Sequence, residues 1–292
     1  MGSYHPECPD RLHAIGDRLI SAGLDAHLVH HTAPEATREQ LERAHDSDYI
    51  AEIEGSTPDE GLYYIDPDTA LNPYSVTAAK HAVGAAVLAT DLVLRGECQR
   101  AFCAVRPPGH HAERGRAMGF CIFNNVAVAA LHALEAHGLE RVAIVDFDVH
   151  HGNGTENIFT GDERVLMVGT FQHPLYPYSG FDSKAPNMVN VPLAAGSGTQ
   201  QLQAAVNDRW MPALEKHQPQ LIIVSAGFDA HREDPLAGLR FTEADYAWVT
   251  RTLVEVANRH AQGRIVSSLE GGYNLSALGR SAAEHVRELL AS

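Results

Sequence analysis

The chain has 292 residues, 45% of them hydrophobic, which is enough for one large domain with a sizeable core or for two ordinary ones. A formal net charge of -15 would repel a phosphate backbone or an anionic membrane surface and welcome a cationic substrate, so a nucleic-acid or membrane-surface binder is not expected. The four cysteines (Cys8, Cys98, Cys103 and Cys121) form no CxxC pair and are too few to staple a chain this long, which points to reduced thiols and a cytoplasmic location.

No apolar run is read as reaching the roughly 18 residues of a membrane span, and the N-terminus MGSYHPECPDRL lacks the apolar core of a signal peptide. In chain order, helical periodicity occupies about 75 to 95, followed by a short buried strand at 101 to 105 (AFCAV) and a helix at 124 to 137. Strands follow at 142 to 148 (VAIVDFD) and 165 to 170 (VLMVGT), then a helix at 199 to 217. A strand at 220 to 226 (QLIIVSA), a helix at 242 to 262, a strand at 264 to 269 (RIVSSL) and a helix at 276 to 290 complete the series. The alternation predicts an α/β fold with a single open, mostly parallel sheet and helices on both faces. No repeat, low-complexity tract or linker divides it, so residues 1 to 292 read as one domain.

The polar, glycine-rich stretches come straight after the strands: RPPGHH after 105, HHGNG after 149, GFDAH after 226 and EGGYN after 269. In open parallel sheets, ligands bind in the crevice outside the carboxyl ends of the strands. Asp146, Asp148 and His150 alternate along an extended segment and so point to one side. Burying two neighbouring carboxylates without a cation is costly, so a metal or a strongly basic partner is expected there. Asp229, after the next strand, is the natural third ligand, and one His with two Asp leaves open positions on zinc, as a catalytic site requires. The bland alternative is that these residues are helix caps at a loop. His110 and His111, in a loop stiffened by two prolines, can take and return a proton near neutral pH. Tyr273, flanked by glycines, can aim a phenol at a developing oxyanion, although Gly-Gly-Tyr is also ordinary turn chemistry.

These residues stand in stretches that resemble the histone deacetylase family, more closely its class II and bacterial amidohydrolase members. The stretches are HPECPDRL (5 to 12), RPPGHHA (106 to 112), MGFCIFNN (118 to 125), DFDVHHGNGT (146 to 155), SAGFDAH with EDPLAGL (225 to 239) and LEGGYN (269 to 274). They run in order over nearly the whole chain. The resemblance implies a zinc-dependent deacetylase acting on acetyl-lysine or a similar acylated amine, with Asp148, His150 and Asp229 as zinc ligands. It implies His111 as general base, His110 as an electrostatic partner bonded to Asp146, and Tyr273 as the carbonyl polariser. Gly109, Phe120 and Tyr176 are expected in the acyl channel. Asn153 stands where class I members have an aspartate supporting the second histidine. A subset of class II members carries histidine at the tyrosine position and deacetylates poorly, so Tyr273 implies activity. Leu236 occupies the gatekeeper position at which polyamine-selecting relatives carry glutamate, which disfavours an acetylpolyamine. A structural potassium ion is also implied, and Gly169, where a serine often helps hold it, implies weaker binding.

Family members usually carry a strand ahead of the HPE motif, and this chain starts almost at that motif, so that strand is expected to be missing, with folding or solubility at stake. Three other readings compete: an acetylpolyamine amidohydrolase, a catalytically silent acyl-lysine binding module, and an arginase relative with two manganese ions.

Overall fold

The computed structural model describes residues 2 and 4–291. Its strands in chain order are β1 (Tyr63–Tyr64), β2 (Ala70–Leu71), β3 (Arg100–Cys103), β4 (Val142–Asp146), β5 (Val165–Gln172), β6 (Met188–Leu193), β7 (Leu221–Ala226) and β8 (Ile265–Leu269). The first two form a small antiparallel hairpin, and the other six form one sheet in the order β3-β8-β7-β4-β5-β6, parallel throughout. The helices are α1 (Asp10–Ser21), α2 (Arg38–Glu42), α3 (Ser47–Gly55), α4 (Ser75–Leu94), α5 (Asn125–Glu135), α6 (Asn153–Phe159), α7 (Thr199–Ala205), α8 (Met211–His217), α9 (Glu243–His260) and α10 (Leu275–Leu290).

The sheet is covered on both faces, and the two-residue period of the strands divides its side chains between two cores. Ala143 and Val145 of β4, Leu166 and Val168 of β5, and Ile222 and Val224 of β7 join α1, α9 and α10 on one face. Val142 and Ile144, Val165 and Met167, and Leu221 and Ile223 join α4 and α5 on the other. This double burial explains why these strands read as continuous apolar runs.

Two expectations need correction. Helix α4 spans 20 residues with a mean hydropathy of 1.3 over its best window, so an apolar segment long enough to cross a membrane does occur. More than half of that window is buried, and the helix packs on α5, β3 and β8, so its apolar character belongs to the core. The helix expected at 199 to 217 is continuous in course but is interrupted by a π-helical turn, Val206–Trp210, between α7 and α8.

From β4 the chain winds outward through β5 and β6, then returns to lay β7 on the other side of β4 and winds away through β8. The order therefore reverses between β4 and β7. A crevice opens at such a switch point, beyond the carboxyl ends of the strands.

Candidate active site

The segments 146–151 after β4 and 227–231 after β7 flank that switch point, and 106–111 and 270–274 approach it from β3 and β8. Ligand atoms of Asp148, His150 and Asp229 all lie within 4.8 Å of one another. His150 Nδ1 is 3.0 Å from Asp148 Oδ1 and 3.2 Å from Asp229 Oδ2. Each carboxylate is fixed by its second oxygen: the Gly271 N–H donates to Asp148 Oδ2 at 2.8 Å, and the Val149 N–H donates to Asp229 Oδ1 at 2.9 Å. Asp229 Oδ2 is buried and, although 3.2 Å from His150 Nδ1, accepts no aligned hydrogen bond. A lone pair left unpaired at such depth is costly, and a cation would satisfy it.

Two glycines make room for this arrangement. A Cβ at Gly227 would fall 2.1 Å from Asp148 Oδ2, and one at Gly271 would fall 2.0 Å from Asp229 Oδ2. Burial disfavours the charged form of Asp229 and the neighbouring Asp148 adds repulsion, together raising its pKa to about 6. Burial likewise opposes charge on His150, but the two carboxylates prevail and lift its pKa to about 10. Two acids sharing one imidazolium are short of positive charge, and an N/O donor set of this kind suits zinc.

The two adjacent histidines sit differently. His110 Nδ1 lies 2.9 Å from Asp146 Oδ2, while its Nε2 is 3.7 Å from Asp148 Oδ1. Burial works against its charge, but Asp146 and Asp148 outweigh it and hold its pKa well above the usual histidine value. His111 Nδ1 lies 2.7 Å from Asn153 Oδ1. The Asn153 amide nitrogen donates to Glu113 Oε1 at 2.8 Å, which fixes the oxygen toward His111. His111 therefore carries its proton on Nδ1 and leaves Nε2 free to accept. Burial, then the positive charge of His110 and His150, pushes the pKa of His111 well below the ordinary value.

Phe120, with φ of 69°, meets the Tyr273 ring edge-on at 5.9 Å. Tyr176 meets His111 at 5.3 Å and His150 at 6.3 Å, both edge-on. Leu236 lies farther out, in a cavity of about 360 Å³ that it lines with His5, Tyr64, Asp68 and Phe120. Gly109 is packed against helix α5: an added Cβ would meet Asn125 N at 2.6 Å, so its small size is demanded on that side.

The histone deacetylase domain matches residues 5–289. The chain belongs to the histone deacetylase family. It is 39% identical over 277 residues to a histone deacetylase-like amidohydrolase of Pseudomonas aeruginosa, covering 92% of this chain and 73% of that protein. It is 37% identical over 279 residues to a probable deacetylase of Archaeoglobus fulgidus, covering 93% of this chain and 77% of the relative. The crystal structure of the HDA15 HD domain superposes with a TM-score of 0.94 at 37% identity, covering 99% of this chain and 83% of that one. The chain is thus a member of a deacetylase and amidohydrolase family, whose substrates are acylated amines, and its sheet is the family's fold.

Several residues that build this family site lie in the motif stretches, but the sequence assigned them no role. Arg11, fully buried on α1, donates from Nε to the Gly272 carbonyl at 2.7 Å and also reaches the Glu270 carbonyl, with its guanidinium 5.0 Å above the Tyr273 ring. Glu7 pairs with both Arg11 and Arg106. Glu270 accepts from the backbone N–H groups of Gly109 and His110 at 2.6 and 3.1 Å, and burial raises its pKa to about 7. Asp234 Oδ2 accepts from the N–H of Tyr273 and of Asn274. Motif content pointed to each of these stretches, HPECPDRL included, but not to what these side chains touch, and a buried arginine on an amphipathic helix gives no periodic signal.

Proposed function

We propose that this chain is a zinc-dependent deacetylase that hydrolyses the amide of acetyl-lysine or a similar acylated amine to acetate and free amine. The observation that carries this reading is the meeting of three ligands within 4.8 Å with a neutral, asparagine-oriented histidine beside them. Asp148, His150 and Asp229 would hold the metal, and the buried Asp229 Oδ2, which accepts no aligned hydrogen bond, supports that assignment. Zinc bound there supplies Lewis-acid polarisation of an amide carbonyl and of the attacking water.

The chain's own groups do the rest. His111 takes the water's proton at Nε2 and returns a proton to the departing amine nitrogen. His110 stays charged against Asp146, and burial, reinforced by that charge, keeps His111 neutral and able to accept. Tyr273 donates its phenolic hydrogen to the carbonyl oxygen as negative charge develops. Arg11 and Asp234 position the tyrosine through the backbone of residues 270–274. Phe120 and Tyr176 bound the approach with aromatic faces suited to a methylene chain.

A structural potassium ion against the carbonyls of 146 to 150 would find no hydroxyl at Gly169, which pairs with Asp146 in the sheet register. Leu236 brings no charge to the outer cavity, which favours a lysine side chain over an acetylpolyamine. A cytoplasmic location belongs to the same reading, supported by four free thiols.

Replacing Tyr273 by Phe tests the mechanism. It should leave bound zinc unchanged and lower kcat about 100-fold or more, as loss of an oxyanion donor does. Unchanged turnover would remove the tyrosine from the reaction.

A further inference from the structure

A second group of metal-ligating side chains lies on the helical layer away from the crevice. Asp91 from α4, His132 from the last turn of α5 and His137 just beyond that helix bring their ligand atoms within 4.8 Å of one another. Asp91 Oδ1 is shared, lying 2.8 Å from His132 Nε2 and 2.6 Å from His137 Nε2. The two imidazole planes are 76° apart with centroids 5.2 Å from each other, so their nitrogens approach the carboxylate oxygen from different directions. Asp91 and His137 side chains are each 21% exposed, which leaves water free to complete a coordination shell.

We propose that these three residues form a second divalent-metal site, separate from the crevice, that takes zinc or a similar borderline cation and clamps α4 to the end of α5. Two imidazoles and one carboxylate form a donor set for zinc, cobalt or nickel rather than for calcium or magnesium, which take oxygens. Three protein ligands and one or more waters give an open, weaker site than a closed four-ligand one.

Two arginines compete with the metal: Arg95 Nη2 lies 3.4 Å from Asp91 Oδ2, and Arg43 stands against His132. Arg43 Nη1 lies 2.5 Å from His132 Nδ1, and as a guanidinium it can only donate. Without metal, His132 therefore accepts at Nδ1 and donates from Nε2 to Asp91. Binding a cation at Nε2 moves that proton to Nδ1, where it would face the Arg43 N–H. Arg43 must then turn away, and its carboxylate partners Glu39 and Glu135, at 3.3 and 3.5 Å, can receive it. The arginine thus lowers affinity at this site, and removing it should tighten binding about tenfold.

The experiment counts zinc per chain on the full-length protein after equilibrium dialysis. Wild type should hold two, His137→Ala one with deacetylase turnover retained, and His150→Ala one with turnover lost. Asp91→Asn provides a second way to empty the site should His137→Ala fold poorly. Arg43→Gln should hold two, the weaker binding about tenfold tighter. Added zinc should also raise the Tm of His150→Ala but not of the His137→Ala/His150→Ala double variant. One zinc in the wild type, two retained in both His137→Ala and Asp91→Asn, or an unaltered affinity in Arg43→Gln would overturn the proposal. Because the second zinc is counted in His150→Ala, this outcome is independent of whether the crevice is catalytic.

Discussion

Replacing Asn153 by Leu isolates the group that fixes the tautomer of His111. Asn153 Oδ1 is the 2.7 Å acceptor for His111 Nδ1, and the side-chain amide nitrogen is directed to the His111 carbonyl, Glu113 and Met118, with no hydrogen bond to the three candidate metal ligands. Leucine has a similar volume but offers no acceptor, so the Nδ1–H of a buried imidazole is left unpaired, a cost of about 1 to 3 kcal/mol. At 1.36 kcal/mol per decade of rate, that alone predicts a fall of about 5- to 150-fold. The imidazole can escape the penalty by moving its proton to Nε2, but that nitrogen then cannot accept from water, and general-base catalysis worth about 10² to 10⁴ is lost. Either route lowers kcat, by about 5- to 150-fold in the first case and by about 10² or more in the second. The assay is acetate release from an acetyl-lysine peptide at saturating zinc, with bound zinc counted in parallel. A variant that keeps its zinc and loses less than about threefold in kcat would refute the assignment of Asn153 as the support for a general base.

Gly227→Ala should lower zinc affinity and cut turnover about 100-fold while the circular dichroism stays native, because the new Cβ would fall 2.1 Å from Asp148 Oδ2 and move that ligand; full metal loading would argue against the ligand set. Leu236→Glu should improve kcat/KM for an acetylpolyamine relative to an acetyl-lysine peptide by about fivefold, the value of a partly exposed ion pair, and an unchanged ratio would remove Leu236 from selectivity. His285 is buried among Phe102, Phe147 and Phe228, where burial lowers its pKa to about 3. The unfolded chain, with an ordinary value near 6.5, binds that proton first, so this stability is present above about pH 6.5 and is lost as pH falls toward 3. By pH 5 the loss is about 2 kcal/mol, and urea unfolding of His285→Gln should show a correspondingly shallower decline between pH 7 and pH 5.

Much of this site was legible because the sheet is parallel and buried on both faces. Strands such as Val142–Asp146 and Leu221–Ala226 then read as solid apolar runs, and the polar segments after them mark one edge. β6 escaped the same reasoning: it is an edge strand in which only Met188 and Leu193 are fully buried, Asn190 turns its amide to His151, Glu156 and the Gly180 carbonyl, and Pro192 is exposed, so it shows no apolar run. α1 buries little beyond Arg11, Ile15 and Leu19, and its first residues read as motif rather than helix. The candidate metal-ligating residues share one strand end or one parallel position, which spacing alone conveys. The residues that hold them do not: Arg11 reaches Gly272 across 261 positions of sequence, and Glu270 reaches Gly109 across 161. Such partners become visible only when the fold closes the distance.

The central claim is that Asp148, His150 and Asp229 hold the metal on which amide hydrolysis depends. The most direct test is to strip the protein with a chelator, add zinc back in steps, and follow acetate release from an acetyl-lysine peptide at each step. Turnover should be absent in the stripped protein, climb to a plateau at one zinc per chain, and never appear in His150→Ala. Turnover that survives stripping, or that returns in His150→Ala, would contradict the account.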